Sequence, residues 1–293
     1  PERGVAQAQL LYAEAVGAAK TLLLTNGSTS GNHVMLQLYA REGDTVLLPR
    51  NAHMSAVNGC ILGGLKVRWL PLSMTADGLC YIRAEDVIAS MDAHPEAKAV
   101  LLTRPDFYGT CIDLERVVAA AHTRGIRVVV DEAHGAHLPW MQGMKSAGAC
   151  GADAWVQSVH KTLPALTGAA ALHLGHAADH TRALTLLRRE QSSSPNFVML
   201  MTIDDARAYM EDCGTERLTA VSAAADEVRR MLPALGYADA HEGWRDTGLT
   251  FDPTRLVIDA PQGGKALAAA LGNSLEAPIA ANKPVISALR DKI

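Results

Sequence analysis

The sequence predicts an α/β protein built on a doubly wound, mostly parallel sheet. Short runs of aliphatic and β-branched residues alternate along the chain with longer segments of helical periodicity. Several of these runs are apolar at every position, which is typical of strands that helices cover on both faces. Polar clusters follow several of the runs, and ligands bind at the carboxyl ends of the strands in such sheets.

The predicted strands lie in the first part of the chain. The run at 127–131 is the most hydrophobic of them and ends in a carboxylate, Asp131. In chain order, the predicted strands cover 21–25, 45–48, 66–70, 99–103, 127–131, 154–157 and 169–174.

Helical periodicity fills the intervals between these strands. Asp113 is a suitable N-cap residue for one helix, which should end before Gly125. From about residue 236 the pattern changes to short mixed elements, so we expect a major domain over 1–235 and a small, incomplete C-terminal α+β region over 236–293. The predicted helices cover 31–41, 53–62, 83–92, 113–124, 177–190, 202–212, 215–232 and 264–271, and a further strand covers 256–259.

The composition favours a globular protein that binds a small molecule. The 293 residues are 48% hydrophobic and 20% charged, with a formal net charge of −4. There is no basic field to attract nucleic acid or a membrane surface, and aromatic residues for base stacking are few. We therefore expect an anionic or zwitterionic ligand, with neither nucleic acid nor a membrane as partner.

The cysteines and the N-terminal residues predict a cytoplasmic location. The cysteines are odd in number and widely spaced, without a C-x-x-C pair, so a disulfide framework is not expected. The chain begins with a polar stretch rather than a signal sequence, and no uncharged apolar run reaches the length of a membrane span. The five cysteines are Cys60, Cys80, Cys111, Cys150 and Cys213.

Lys161 and Asp131 together point to pyridoxal phosphate (PLP) as cofactor. Lys161 follows the strand-like run 154–157, where a desolvated lysine can act as an amine nucleophile and form a Schiff base with a carbonyl. Asp131 ends an earlier strand, and a carboxylate there is costly to bury unless a cation meets it. A protonated pyridine nitrogen would be that cation. The alternative is that Asp131 only caps the next turn.

The loop 25–32 is a candidate phosphate site. Its hydroxyl-rich sequence, Thr-Asn-Gly-Ser-Thr-Ser-Gly-Asn, joins a strand to a helix, and helix N-termini favour phosphate. An ordinary Ser/Thr helix cap is an equally good interpretation. The glycine patterns that mark dinucleotide and ATP sites are absent from the sequence.

Three histidines lie near these loops. His134 and His137 form an H-x-x-H pattern, but no third ligand is evident, so we expect no metal site. Ordinary hydrogen bonding remains an alternative for His137. His53 follows another strand, where it could stack on a cofactor ring or cap its helix. Ala133 is small enough for a flat ring to lie close to it.

These segments resemble the Orn/Lys/Arg decarboxylase family in its shorter bacterial form, which belongs to the fold type I PLP enzymes. The likeness covers about residues 5–235 and fades towards the end of the chain. It is carried by Asp-Glu-Ala-His-Gly-Ala-His-Leu at 131–138 and by the segment 151–167 that contains Ser-Val-His-Lys, with support from 49–55, 108–114 and 191–195.

The resemblance implies roles for individual residues. Lys161 would be the Schiff-base lysine, Asp131 the partner of the pyridine nitrogen, and His53 the ring that stacks on the cofactor. His134 would lie near the cofactor's phenolic oxygen or the substrate carboxylate. Ser192 would complete the phosphate site of a neighbouring subunit, which implies a homodimer or larger assembly with shared active sites. The remaining cofactor contacts would be Ser28, Thr29, Ser30, Ala133, Ser158 and His160.

The chain also departs from the family pattern. Met54 stands where lysine is usual, and Asp106 stands where a small hydroxyl residue is common. Asp106 could bind the cationic tail of a substrate, or it could mark a different substrate. The family normally has a segment before Pro1 and a longer C-terminal domain after Ile293.

The resemblance implies PLP-dependent decarboxylation of arginine, lysine or ornithine to the corresponding amine, within polyamine metabolism. Another fold type I enzyme, an aminotransferase or a Cα–Cβ lyase, would use the same cofactor residues. A truncated domain that keeps the fold without catalysis is a third interpretation.

Overall fold

The structure is a computed structural model that describes residues 2–75 and 78–259. Its strands are β1 (Lys20–Leu24), β2 (Thr45–Pro49), β3 (Lys66–Leu70), β4 (Ser73–Met74), β5 (Cys80–Tyr81), β6 (Ala97–Thr103), β7 (Thr110–Cys111), β8 (Arg127–Asp131), β9 (Ala154–Gln157), β10 (Ala170–Leu174), β11 (Ala238–Asp239), β12 (Thr250–Phe251) and β13 (Ile258–Asp259). Its α-helices are α1 (Glu2–Val16), α2 (Gly27–Tyr39), α3 (Met54–Leu62), α4 (Ala84–Ala93), α5 (Leu114–Thr123), α6 (Val159–Thr162), α7 (His180–Glu190), α8 (Phe197–Met231) and α9 (Ala240–Gly243).

Seven strands form one central sheet, in the order β1-β10-β9-β8-β6-β2-β3. The pairs from β9 through β8, β6 and β2 to β3 are parallel, while β10 runs antiparallel to both of its neighbours. The predicted α/β class and the mostly parallel sheet are therefore confirmed, and all seven predicted strands of the major domain lie in this sheet.

Two layers of apolar side chains cover the sheet, because alternate strand residues point to opposite faces. Leu101 and Val129 pack with α2, α3 and α7 on one face. Leu102 and Val130 pack with α1, α4, α5 and α8 on the other. Both layers are mostly aliphatic, as expected for a sheet buried between helices.

The helix α2 lies close to the middle of the sheet because of Gly31. A Cβ at this position would overlap the side chain of Val156 on β9 and come within 3.2 Å of Leu24 on β1. The close approach brings the N-terminus of α2 beside the ends of β8 and β9. The polar loop 25–32 is thereby positioned at the carboxyl edge of the sheet.

Two expectations about the helices need correction. The segments predicted as separate helices at 202–212 and 215–232 form one helix, α8, of 35 residues. The interval between the two predicted helices contains Gly214, but Gly214 is buried within the helix, which continues through it. The helix α1 was not predicted. The helix predicted at 264–271 lies outside the described residues.

The segment after residue 236 contacts the major part of the chain. The strand β12 pairs with β7, joining Thr250 to Cys111 and Phe251 to Thr110. The guanidinium of Arg229 on α8 donates to the carbonyl oxygens of Pro253 and Arg255 at 3.0 and 2.7 Å. The division into domains at 236 stays a prediction.

Candidate functional site

The polar loops predicted to converge do so at the carboxyl edge of the central sheet. Thr103 pairs with Asp131, and Asp131 with Val156, so β6, β8 and β9 end at nearly the same level. The one-turn helix α6, which carries Lys161, begins directly after β9. This edge is where ligands bind in open α/β sheets.

Asp131 is buried at the end of β8, with only 2% of its surface exposed. One carboxylate oxygen accepts from the backbone N–H of Ala133 at 3.1 Å, and the other accepts from Asn32 Nδ2 at 2.8 Å. Burial raises the pKa of Asp131 above its usual value, while these hydrogen bonds and the nearby Lys161 and His53 favour the ionised form. A cationic ligand atom beside Asp131 would stabilise the carboxylate further.

Lys161 extends its amine towards the ring of His134. The distance from Lys161 Nζ to His134 Nε2 is 3.3 Å. Partial burial lowers the pKa of Lys161, Arg255 lowers it further, and the carboxylate of Asp131 opposes both effects. A depressed pKa makes a larger share of the amine available as a nucleophile.

His134 lies between two basic side chains. Its Nδ1 is 3.4 Å from Arg255 Nη2, on the side of the ring opposite Lys161. Burial lowers the pKa of His134 to about 4, and Lys161, Arg255 and His53 contribute in the same direction. The imidazole is therefore neutral near pH 7. Arg255 was not among the predicted site residues, because it lies in the weakly patterned segment after 236.

His53 is the N-cap residue of α3, which is one of the two interpretations considered from the sequence. Its Nδ1 accepts from Ser55 N at 3.2 Å and lies 2.8 Å from Ser55 Oγ. Ser55 Oγ in turn accepts from Asn32 Nδ2 at 2.8 Å. A polar line thus connects His53 to Asp131 through two buried residues that sequence reasoning missed, Asn32 and Ser55.

The predicted phosphate loop brings hydroxyl groups from two segments together. Ser158 Oγ donates to Ser28 Oγ at 2.8 Å, which joins the start of α6 to the start of α2. Ser30 is buried and its Oγ donates to the carbonyl of Gly27 at 3.0 Å, whereas Thr29 is exposed. Ser28 and Ser158 are therefore the pair of hydroxyl groups that links the two segments.

The N-terminus of α2 is not closed by the hydroxyl cap considered from the sequence. Its N-cap residue is Asn26, whose side chain forms no cap hydrogen bond within the described residues. Asn26 Nδ2 instead donates to the carbonyl of Glu190 at 3.1 Å. Gly27 follows with φ of 68°, a left-handed conformation that favours glycine. The first amide groups of α2 are thus left for an anion.

Two of the predicted cofactor contacts, His160 and Ser192, form hydrogen bonds with residues outside the predicted site. His160 Nδ1 lies 2.9 Å from the carbonyl of Ala169, which orients the ring. Ser192 is exposed after α7, and its Oγ accepts from Ser194 N at 3.1 Å. Ser192 forms no hydrogen bond to the other predicted site residues in the part of the chain that the structure describes. A role in a neighbouring subunit stays a prediction.

His137 has a structural partner. Its Nε2 is 3.0 Å from a carboxylate oxygen of Asp252, and both side chains are almost fully buried. This contact joins the loop after β8 to the segment after β12. Among residues 2–75 and 78–259, no cluster of three or more His, Cys, Asp and Glu side chains could hold a metal ion.

The carboxylate of Asp106 accepts hydrogen bonds from backbone groups of its own turn. One of its carboxylate oxygens accepts from Tyr108 N and Thr110 N, each at 2.9 Å, and only 8% of its surface is exposed. Burial raises the pKa of this carboxyl group. Met54, the other departure from the family pattern, is 63% exposed.

The site residues fit PLP. Asp131 offers a buried carboxylate to a ring nitrogen, and Ala133 leaves room for a flat ring. Asn32 Oδ1 is buried and has no hydrogen-bond partner among the described residues, so the pocket retains an acceptor. The hydroxyl groups of Ser28 and Ser158 lie beside a helix N-terminus, which suits a phosphate dianion.

Known proteins show the same fold and related sequences. Over 271 residues the chain is 34% identical to the uncharacterized protein YaaO of Bacillus subtilis, covering 90% of this chain and 56% of that protein. It is 29% identical to an arginine decarboxylase of Halalkalibacterium halodurans, covering 88% of this chain and 54% of that one. The crystal structure of a Francisella novicida lysine decarboxylase superposes with a TM-score of 0.79 at 17% identity, covering 97% of this chain and 50% of that chain.

These coverages mean that the chain spans about half the length of the curated relatives it matches. Residues 1–248 match the family described as Orn/Lys/Arg decarboxylase, major domain. The chain therefore belongs to the Orn/Lys/Arg decarboxylase family.

Proposed function

We propose that this protein decarboxylates a basic amino acid, arginine, lysine or ornithine, to the corresponding amine with PLP as cofactor. The observation that carries the proposal is the arrangement at the end of β8 and β9. An amine with a lowered pKa, Lys161, lies beside a neutral imidazole, His134, and a buried carboxylate, Asp131. Family membership and the arginine decarboxylase relative support the same reaction.

Each of these residues has a distinct task in the proposal. Lys161 would supply the amine to which the cofactor is attached. Asp131 holds a proton on the ring nitrogen. When bound, PLP accepts the electron pair of the bond that breaks. Ala133 lies against the ring, and His53, beyond its capping bond, would contribute its imidazole face.

The phosphate would be held at the start of α2. Ser28 and Ser158 would donate their hydroxyl groups, and the first amides of α2, which form no cap hydrogen bond with the side chain of Asn26, would donate as well. Thr29, Ser30 and His160 would supply further contacts. In the proposal, Ser192 reaches the phosphate site of a second copy of the chain, so the active unit is a homodimer or a larger assembly.

Selection of the bond that breaks depends on orientation. The residues of the site would orient the substrate so that its Cα–carboxylate bond is the one that breaks, and positioning of this kind lowers barriers by several kcal/mol. The imidazole of His134 lies beside the amine of Lys161. Because it is neutral, it can accept or donate a proton there.

Release of labelled carbon dioxide tests the proposal directly. Purified protein loaded with PLP is incubated with carboxyl-labelled arginine, lysine and ornithine, and gas and amine are measured together. We expect equal amounts of both from at least one substrate, and none from Lys161→Ala. Keto-acid formation would assign the chain to the aminotransferases instead. A bound PLP spectrum without any turnover would indicate a non-catalytic domain.

The proposed location is the cytoplasm. All five cysteines lie in the described part of the chain and are free thiols, as expected in a reducing compartment. Among the described residues, no helical segment has the length and hydropathy of a membrane span. Polyamine metabolism is the process in which decarboxylation of a basic amino acid would take part.

A further inference from the structure

We propose that Arg255 is a positioning residue that fixes the tautomer of His134, so that the Nε2–H of the ring faces Lys161 and holds its amine neutral. The inference rests on the proposed function, since it concerns the nucleophile of that reaction. It assigns a role to a residue beyond the 1–248 stretch that matches the family.

The contact with Arg255 determines which nitrogen of the His134 imidazole carries the proton. Arg255 Nη2 is 3.4 Å from His134 Nδ1. A guanidinium is always charged and can only donate hydrogen bonds, so Nδ1 must accept. A neutral imidazole with an accepting Nδ1 carries its proton on Nε2.

The position of that proton in turn favours one protonation state of the Lys161 amine. Lys161 Nζ is 3.3 Å from Nε2, and once Nε2 bears the proton it must donate. An ammonium group has no acceptor, whereas a neutral amine offers its lone pair. The arrangement therefore stabilises the unprotonated form of Lys161, which is the nucleophilic form.

The surrounding charges are consistent with this arrangement. Arg255 and burial disfavour the ammonium form of Lys161, whereas Asp131 favours it. His53 is the remaining titratable group that acts on His134. The hydrogen-bond pattern acts in the same direction as the net lowering of the Lys161 pKa by its surroundings.

Arg255 is held in place by its backbone rather than by its charge. Its carbonyl accepts from Arg229 Nη2 at 2.7 Å, and its N–H donates to the carbonyl of Asp252 at 3.0 Å. Gly109, with φ of 83°, leaves room for it, since a Cβ there would lie 2.8 Å from Arg255 Cβ. Substitution of the side chain alone should leave these backbone contacts intact.

Competitive labelling of lysines in the full chain freed of PLP tests the proposal. Trace acetic anhydride is applied across a pH series, and Lys161 is compared with Lys20 and Lys66 as internal standards in the same sample. In Arg255→Leu we expect the labelling of Lys161 at neutral pH to fall roughly three- to tenfold. Arg245→Leu, which removes an exposed arginine paired with Glu242, should leave it unchanged.

A double variant separates the tautomer from direct charge repulsion. In a His134→Phe background, Arg255→Leu should change Lys161 labelling far less than in the wild type. An equal change in both backgrounds, or no change in either, would overturn the proposal. Nitrogen-15 NMR of labelled histidine should show an unprotonated Nδ1 on His134 in the wild type. In Arg255→Leu it should show a mixture of the two tautomers.

The outcome is separable from that of the proposed function. If Lys161 fails to bind PLP covalently while the labelling and NMR results hold, the proposed function fails and the tautomer assignment stands. If PLP is attached to Lys161 but His134 carries its proton on Nδ1, the function stands and the role of Arg255 is wrong.

Discussion

At the scale of single residues, the site depends on groups that are costly to bury unless they have partners. Asp131 and Asn32 are both fully enclosed at the end of β8, and their side chains bind each other at 2.8 Å. Asn32 Oδ1 has no hydrogen-bond partner among the described residues. Burial therefore supplies the perturbed pKa values that a functional site needs.

Replacement of Asp131 by asparagine keeps the shape of the side chain but removes its negative charge. The amide can still accept from Ala133 N, but it cannot hold a proton on a ring nitrogen. We expect PLP to be lost on dialysis and decarboxylation to slow by about 100-fold or more. Absorbance after dialysis and single-turnover rates measure the two effects. Asp113→Asn, a change at an exposed helix cap, is the matched control, and near-wild-type behaviour of Asp131→Asn would contradict the assignment.

Glu132 makes the stability of the protein depend on pH. It is fully buried, accepts from Ala147 N at 2.7 Å and Gln157 Nε2 at 2.8 Å, and burial raises its pKa from 4.5 to about 7. The folded state therefore binds the proton more tightly than the unfolded state. Its stabilising contribution is present below pH 4.5 and is lost as the pH rises through about 7.

Glu132→Gln should remove this dependence because glutamine does not titrate. Over the interval from 4.5 to about 7, the wild type should lose on the order of 3 kcal/mol relative to the variant. Urea unfolding at a series of pH values measures the difference. A gap between the two proteins that stays constant with pH would show that Glu132 keeps its ordinary pKa.

Sequence reasoning found the residues of the site that follow strands, but not those that reach it through space. Lys161, Asp131 and His134 do lie together, as the order of strands and loops predicted. Asn32 was visible only as the end of a polar loop, and Arg255 is separated from His134 by more than a hundred residues, 121 in all. Such contacts depend on how β12 pairs with β7, which periodicity does not predict.

At the scale of elements, the strands of the sheet were predictable because their burial leaves little choice of residue. Apolar runs bounded by polar turns identify them within a few residues. The helix α8 was harder, since Cys213-Gly214-Thr215 combines a helix-stopping glycine with a capping hydroxyl. Packing overrides this local signal, because Gly214 lies on the buried side of a helix that contacts α1.

Two glycine substitutions should have opposite effects on stability. Gly214→Ala should stabilise the protein by up to about 1 kcal/mol, because alanine favours a helix and the nearest atom is the flexible Cε of Met210 at 2.8 Å. Gly31→Ala should destabilise it by about 1–3 kcal/mol, because the new methyl group overlaps Val156 in the core. Urea unfolding of both variants measures the signs, and the same sign for both would contradict the packing described for α2 or α8.

At the scale of the whole molecule, we propose that two copies of the chain form the active unit. Exposed apolar side chains include Met54, which follows His53 in the sequence, Phe107, whose ring contacts that of His134, and Phe197 and Met201 on α8. The predicted role of Ser192 places it in the phosphate site of the neighbouring copy. Neither the composition nor the pattern of the sequence predicts which surfaces meet.

Complementation between inactive variants tests the shared site. Lys161→Ala and Ser192→Glu should each be inactive, the second because a carboxylate repels the phosphate. Their co-expression should restore about one quarter of wild-type activity, since half of random dimers are mixed and each has one intact site. Absence of recovery in dimers confirmed to be mixed would mean that Ser192 acts within its own chain.

The central claim is that Lys161 is the residue to which PLP is attached, and borohydride reduction with peptide mapping tests it most directly. The loaded protein is reduced, digested and analysed by mass spectrometry. We expect a single pyridoxyl group on the peptide that contains Lys161. A reduced protein in which Lys161 is unmodified, or in which the label is spread over surface lysines, would contradict it.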